Sequence, residues 1–365
     1  MPPISLITNY LPPYRVPLYA LLHERYGVEV HCFGGEGGYV AAADRDLDRQ
    51  LAEAPFPAHR LARQGDAGEV ARESEAVIVA LTGRVAVPAA WYGARQAGRP
   101  FVLWASLWRH PLTLAHLASL PFMRRVYKQA DAVLTYGPHV SRYLRRYRPA
   151  DRTTLVAPQA VEADLFGRGV SAAETAAWRS EAGLPPAGPL VLYVGRLVPE
   201  KGVEVLLRAW RRLDLAGATL VLAGDGPLRG EDTGTVRFLG QVPRARLPVA
   251  YSAADAVVVP SLATRRFLEP WGLVCNEAMH AGTPVIASAA VGAVAGGMVL
   301  HGASGLVVRA GDDQDLARTI QMLLSDAALH QRIGRLGRAQ VSDYSYPAAA
   351  DAFGKALRAI GALPG

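Results

Sequence analysis

The feature that most constrains this chain is an alternation. Short, unbroken apolar blocks rich in β-branched residues recur from end to end, and amphipathic stretches lie between them. In the first half the blocks run from Ile4 to Thr8, Val28 to Phe33, Ala76 to Leu81, Phe101 to Trp104, Ala132 to Tyr136 and Thr154 to Ala157, with helical stretches such as Val16 to Glu24 and Val140 to Arg146 between them. Strands that alternate with helices and are apolar on both faces predict a parallel sheet covered on both sides. The fold class is therefore α/β and doubly wound.

The alternation restarts after a Gly/Pro-rich patch from Glu181 to Pro189. Leu190 to Val194 reads as a strand, and Val203, Leu206, Leu207 and Trp210 follow with the spacing of one helical face. Further strands are expected over Leu220 to Ala223, Val236 to Leu239, Val257 to Val259 and Pro284 to Ala287, and Leu316, Ile320, Leu323 and Leu324 mark another helix. A chain of 365 residues exceeds the usual single-domain size. Two similar domains are expected, 1–168 and 169–342, with a C-terminal helix at about 343–365 packing back on the first.

Composition narrows the functional classes. Half of the residues are hydrophobic, which excludes a disordered chain. The two cysteines, Cys32 and Cys275, have no metal-type spacing and read as free thiols in a reducing cytoplasm. No leader-like start opens the sequence, so export is not expected. Residues Val285 to Leu300 carry no charge, but they are Gly/Ala-rich and shorter than a bilayer span. The formal charge of +7 comes from arginine, since lysine occurs only at Lys128, Lys201 and Lys355. A basic zone, Arg124, Arg125, Lys128, Arg142, Arg145, Arg146, Arg148 and Arg152, could face an anionic membrane or a lipid-linked acceptor, or could simply be a solvated helix face. Nucleic acid is not an expected partner, because aromatic and basic residues are not interleaved on one face.

Two constellations could carry chemistry. Gly195-Arg-Leu-Val-Pro-Glu-Lys-Gly202 lies between the first strand of the second domain and its helix, where Arg196 and Lys201 suit a diphosphate; the alternative is an ordinary surface loop. Phe267-Leu-Glu-Pro-Trp-Gly-Leu-Val-Cys-Asn-Glu-Ala-Met279 puts Glu269 in a loop and Glu277 in a helix, with Gly272 freeing the backbone between them. Exposed N–H groups there can meet phosphate oxygens while the carboxylates accept sugar hydroxyls; a helix-capping Glu277 is the alternative. The loop Asp44-Arg-Asp-Leu-Asp48 superficially offers metal ligands, but alternating charges are common on surfaces, and no metal or other cofactor is expected. The glycine run from Gly34 to Gly38 lacks full dinucleotide spacing.

With Ala-Gly-Asp-Gly-Pro (223–227), Phe-Leu-Gly-Gln-Val (238–242), Pro260-Ser261 and Ala-Gly-Thr-Pro-Val-Ile-Ala-Ser (281–288), these motifs form an ordered set over most of residues 190–320 that resembles glycosyltransferase family 4. The resemblance implies a GT-B fold, two Rossmann-like domains facing a central cleft, and a soluble enzyme that transfers sugar from a nucleotide-sugar donor with retention. It implies that Arg196 and Lys201 hold the diphosphate and Glu277 the ribose. Glu269 with the Pro270, Trp271, Gly272 and Leu273 backbone would hold the transferred sugar, and Gly224 and Val242 would line the nucleotide site.

In the first half, Asn9-Tyr-Leu-Pro-Pro-Tyr-Arg-Val-Pro-Leu18 resembles the family's acceptor-facing loop, implicating Tyr10, Pro13, Tyr14 and Arg15, although the Gly-Gly pair common there is missing. Gln159 stands where asparagine is common, and residues 291–299 are Ala/Gly-rich where a polar residue is usual. His110, or alternatively His116, would be the histidine near the reacting sugar.

The reaction so implied lengthens the anomeric bond first, so cations at the diphosphate stabilise the transition state more than the ground state. The expected donor is UDP- or GDP-hexose, and the expected acceptor a glycan or lipid-linked molecule in envelope polysaccharide synthesis at the cytoplasmic membrane face. The rivals are a GT-B epimerase or hydrolase acting on sugar nucleotides, and a catalytically silent scaffold that binds them.

Overall fold

The computed structural model describes residues 2–34, 46–81 and 83–364. The chain divides into two compact units, Met1–Ala160 with Tyr346–Gly365, and Val161–Ser345.

The first unit holds β1 (Ile4–Thr8), β2 (Val28–Cys32), β3 (Ala58–Arg60), β4 (Ala76–Ala80), β5 (Phe101–Ala105), β6 (Ala132–Thr135) and β7 (Thr154–Val156). They form one parallel sheet in the order β3-β2-β1-β4-β5-β6-β7. Period-two alternation splits its side chains between two cores. Leu6, Val30, Ile78, Val102 and Leu134 point to one face, which also buries Leu18 and Leu22 of helix Val16–Tyr26 and Phe353 of helix Tyr346–Ala359. Ile7, Val77, Val79, Leu103 and Val133 point to the other, against helices Ala86–Gln96 and Leu114–Gln129. Phe353 meets Trp104 edge-on at 5.0 Å, so the C-terminal helix completes the first core.

The second unit holds β8 (Leu190–Val194), β9 (Thr219–Ala223), β10 (Val236–Gly240), β11 (Ala256–Val259), β12 (Val285–Ser288) and β13 (Leu306–Val308), parallel and ordered β10-β9-β8-β11-β12-β13. Helix Val203–Arg211 buries Val203, Leu206 and Trp210, and helix Asp313–Ser325 buries Leu316, Ile320 and Leu323. The uncharged run after Pro284 is β12, a turn and the short helix Gly292–Ala295. Among the described residues no helix is long and apolar enough to cross a membrane.

The edge strands β3 and β13 went unanticipated. Both are three residues long, and pairing with a neighbour decides them. In each sheet the strand order reverses beside the first strand, between β1 and β4 and between β8 and β11. The carboxyl ends of strands at such a reversal are where open α/β sheets bind ligands.

Candidate functional site

At the second reversal the chain leaves β8 through Gly195 and Arg196 and makes a 3-10 turn over Pro199–Lys201. It then enters helix Val203–Arg211 through Gly202, whose φ is +74°. A Cβ on Gly202 would lie 2.0 Å from the Pro260 carbonyl oxygen, so only glycine lets this loop press onto the one following β11. The Leu262 amide donates to the Glu200 carbonyl at 2.8 Å and ties the same two loops. Lys201 Nζ consequently meets Glu269 Oε2 in an ion pair, and Ser261 Oγ donates to the same oxygen at 3.0 Å. Glu269 is buried, while Arg196 keeps 41% of its side chain exposed and stands 3.6 Å from Glu200. Gly224 joins a third loop: its N–H donates to Gly240 O at 2.7 Å, and a Cβ there would lie 1.8 Å from Gly195 O.

The helix Leu273–Ala281 begins beside this pair. Gly272, with φ of +91°, caps it without any side-chain hydrogen bond; the Cys275 N–H turns back to the Gly272 carbonyl at 2.9 Å, so the N–H groups of Leu273 and Val274 are the ones left without a side-chain cap. The preceding peptides are held from behind, Gly292 N donating to Glu269 O at 3.1 Å and Ala293 N to Trp271 O at 2.7 Å. The Trp271 indole is buried, donates to Asn276 Oδ1 at 2.8 Å and packs on Tyr344.

Glu277 is no cap: it sits past the first turn, buried, and accepts from Tyr251 Oη at 2.5 Å. Arg244 stands 3.9 Å from its other oxygen, pairs with Glu162 and lies over the Phe166 ring at 5.1 Å. Burial raises the Glu277 carboxyl to about 7, against the opposing pull of Tyr251 and Arg244. Val242 is half-buried in the same loop as Arg244, just after β10. Arg244 and Tyr251 were not singled out in the sequence. The basic Pro243-Arg-Ala-Arg246 run after a strand was the available signal for the first.

In the first unit the loop after β1 places Tyr10 and Tyr14 half-buried and Pro13 exposed. Arg15 is buried, its guanidinium 4.4 Å from the Trp104 ring centroid and 5.3 Å from those of Tyr14 and Tyr136. It donates to Gln159 Oε1 at 2.5 Å, and Gln159 in turn donates to Ala157 O at 3.2 Å. The Gln159 departure from the family pattern thus has a local use. His110 is buried, and its Nε2 meets the His116 carbonyl at 2.6 Å, which fixes Nε2 as the donor. Nδ1 is shut off from solvent and has no hydrogen-bond partner among the described residues. His116 is half-buried, and its Nδ1 lies 2.7 Å from the Thr113 hydroxyl.

The basic zone is not uniform. Arg124, Arg125, Lys128, Arg142, Arg145, Arg146 and Arg152 are exposed, but Arg148 is buried and donates to the carbonyls of Tyr127, Ala130, Asp131 and Thr153 and to Thr154 Oγ1. Its donors are consumed inside the unit and cannot face a membrane. Asp44 and most of the 34–38 glycine run lie outside the described residues, while Asp46 pairs with Arg49 and Asp48 with Arg60.

Residues 174–340 match the family of glycosyl transferases group 1. That segment contains Arg196, Lys201, Glu269 and Glu277. The chain is 34% identical over 242 residues to the D-inositol 3-phosphate glycosyltransferase of Nocardia farcinica, covering 61% of this chain and 51% of that protein. It is 34% identical over 213 residues to the glycogen synthase of Mycobacterium tuberculosis, covering 55% and 49% respectively. It thus spans about half the length of the curated relatives it matches. Among solved structures, HepE of Anabaena in complex with UDP and glucose superposes with a TM-score of 0.78 over 98% of this chain and 100% of that one, at 20% identity. Sucrose-phosphate synthase from Thermosynechococcus elongatus does so at 0.74 over 99% and 100%, at 24% identity. The fold is GT-B.

Proposed function

We propose that this protein is a retaining glycosyltransferase that moves a hexosyl-type sugar from a nucleoside diphosphate to a glycan or lipid-linked acceptor in envelope polysaccharide synthesis. The observation that carries this reading is the Lys201, Glu269 and Ser261 cluster beside the uncapped N-terminus of helix Leu273–Ala281. Cations and free N–H groups suit a diphosphate, whereas a carboxylate among them suits sugar hydroxyls. UDP is the first donor to try, since HepE was solved with UDP and glucose, and GDP the second.

In this scheme Lys201, Arg196 and the first-turn N–H groups take up the negative charge that builds on the departing diphosphate. The acceptor hydroxyl bonds to the anomeric carbon on the face the diphosphate leaves, and its proton passes to the departing phosphate oxygen. Glu277 accepts the ribose hydroxyls, Val242 borders the base, and Glu269 with the Pro270–Leu273 peptides orients the sugar. On the first unit, His110 is the histidine placed near the reacting sugar, and Arg15 acts by holding the loop that carries Tyr10, Pro13 and Tyr14.

A thermal-shift titration with UDP, GDP, ADP and TDP and their common sugars tests the reading. One nucleotide at about 100 times its dissociation constant should add roughly 2.7 kcal/mol, and Lys201→Ala and Glu277→Ala should each abolish that shift. If no nucleotide stabilises the protein, it does not use a nucleotide-sugar donor.

For the acceptor side we propose peripheral docking on an anionic membrane at the cytoplasmic face. Residues 76–130 contain no Asp or Glu. Helix Leu114–Gln129 leaves Leu114 88% and Leu117 46% exposed, and Arg124, Arg125 and Lys128 continue the same stripe at helical spacing. An apolar stripe with a basic end suits anionic headgroups. Leu114→Asp with Leu117→Asp should abolish sedimentation with phosphatidylglycerol vesicles, and Arg124→Ala with Arg125→Ala should weaken it. Unchanged sedimentation in both would refute docking here.

A further inference from the structure

We propose that Glu29, His31 and His59 form a binding site for a zinc-type divalent transition metal on one face of the first sheet, apart from the groups discussed above. Glu29 and His31 are two residues apart on β2 and so share a face. His59 on β3 is the direct register partner of His31 and stands beside it. The two rings stack with centroids 4.9 Å apart, and His59 Nε2 lies 3.2 Å from Glu29 Oε2. One donor atom from each of the three residues lies within 4.8 Å of the other two. Ligand atoms around tetrahedral zinc are about 3.4 Å apart, so the set needs to contract by no more than about 1.4 Å.

An independent observation points to a ligand. Nε2 of His31 is shut off from solvent and has no hydrogen-bond partner among the described residues. A shielded, unpaired nitrogen is costly, and a metal ion would satisfy it. Two imidazoles and one carboxylate favour zinc, nickel, copper or cobalt over magnesium and calcium. Cys32 is excluded as a fourth ligand because it points to the opposite, fully buried face, so water would complete the shell. Bound there, a metal ties the three-residue edge strand β3 to β2.

The test is calorimetric titration of chelator-treated full-length protein with zinc, together with cobalt absorption spectroscopy. The expected result is about one equivalent bound, a cobalt spectrum of tetrahedral intensity and a raised melting temperature with metal. His31→Gln and His59→Gln should each weaken binding more than about tenfold without changing metal-free melting. Should His31→Gln fail to fold, the partly exposed Glu29→Gln and His59→Gln decide on the same readouts. The absence of stoichiometric binding by the wild type overturns the proposal, as does unchanged affinity when two of the three ligands are replaced together.

Discussion

The two sheets reverse their strand order in the same way, yet the carboxyl ends at the two reversals are furnished differently. Beside β1 the cation is spent internally: Arg15 is buried among Trp104, Tyr14 and Tyr136 and bonded to Gln159. Beside β8 the cations stay at the surface of the unit, with Arg196 41% and Lys201 21% exposed by side chain. Arg148 repeats the first pattern at the end of its loop, closing four backbone carbonyls. A guanidinium with five donors can seal a loop from within, whereas a partly exposed ammonium paired with Glu269, beside a helix N-terminus that lacks a side-chain cap, can still meet an anion from outside. Arginine count and charge alone do not separate these uses.

Five substitutions sharpen or break this contrast. The largest effect is expected from Lys201→Ala, which should lower kcat for transfer about 10²- to 10³-fold, as loss of one transition-state charge partner does. Melting should fall as well, because the buried Glu269 carboxylate loses its ion-pair partner and keeps only the Ser261 hydroxyl. A fall in stability with retained turnover would instead make the Lys201–Glu269 pair structural. Next, Arg148→Ala should cost about 3 kcal/mol in urea unfolding by leaving buried carbonyls unpaired, while Arg145→Ala and Arg146→Ala stay within about 0.5 kcal/mol. Equal, small costs for all three would remove the distinction between buried and solvated arginines.

The smallest effect concerns pH. Glu277 has its pKa raised by burial from an ordinary 4.5 to about 7. The folded state therefore holds a proton that the unfolded chain releases between those values. This contribution to stability is complete below about pH 4.5 and lost as pH rises through about 7. Glu277→Gln should flatten the melting temperature against pH across that window. An unaltered slope would mean that Tyr251 and Arg244 hold the carboxylate ionised.

Much of the fold was legible because long strands write their burial into the sequence. Ile4–Thr8 and Leu190–Val194 are apolar on both faces, and a parallel sheet with helices on each side buries both. The edge strands β3 and β13 escaped, because pairing and not composition makes them strands. In the candidate site, the residue types and order around Lys201, Glu269 and Glu277 were readable, since chemistry and motif spacing are properties of the chain.

What the sequence could not state is which side chains are spent. Trp271 and Arg15 looked like contact residues, and tertiary packing buries the indole of one and the guanidinium of the other. Arg244 and Tyr251 carried no motif and became neighbours of Glu277 only when β10 and the helix after it packed against helix Leu273–Ala281. Sequence by itself determined the alternation, the two-unit α/β plan and the charged motifs, because these depend on local periodicity and residue type. Only the tertiary structure decided which charges remain available, because availability depends on partners that lie far away along the chain.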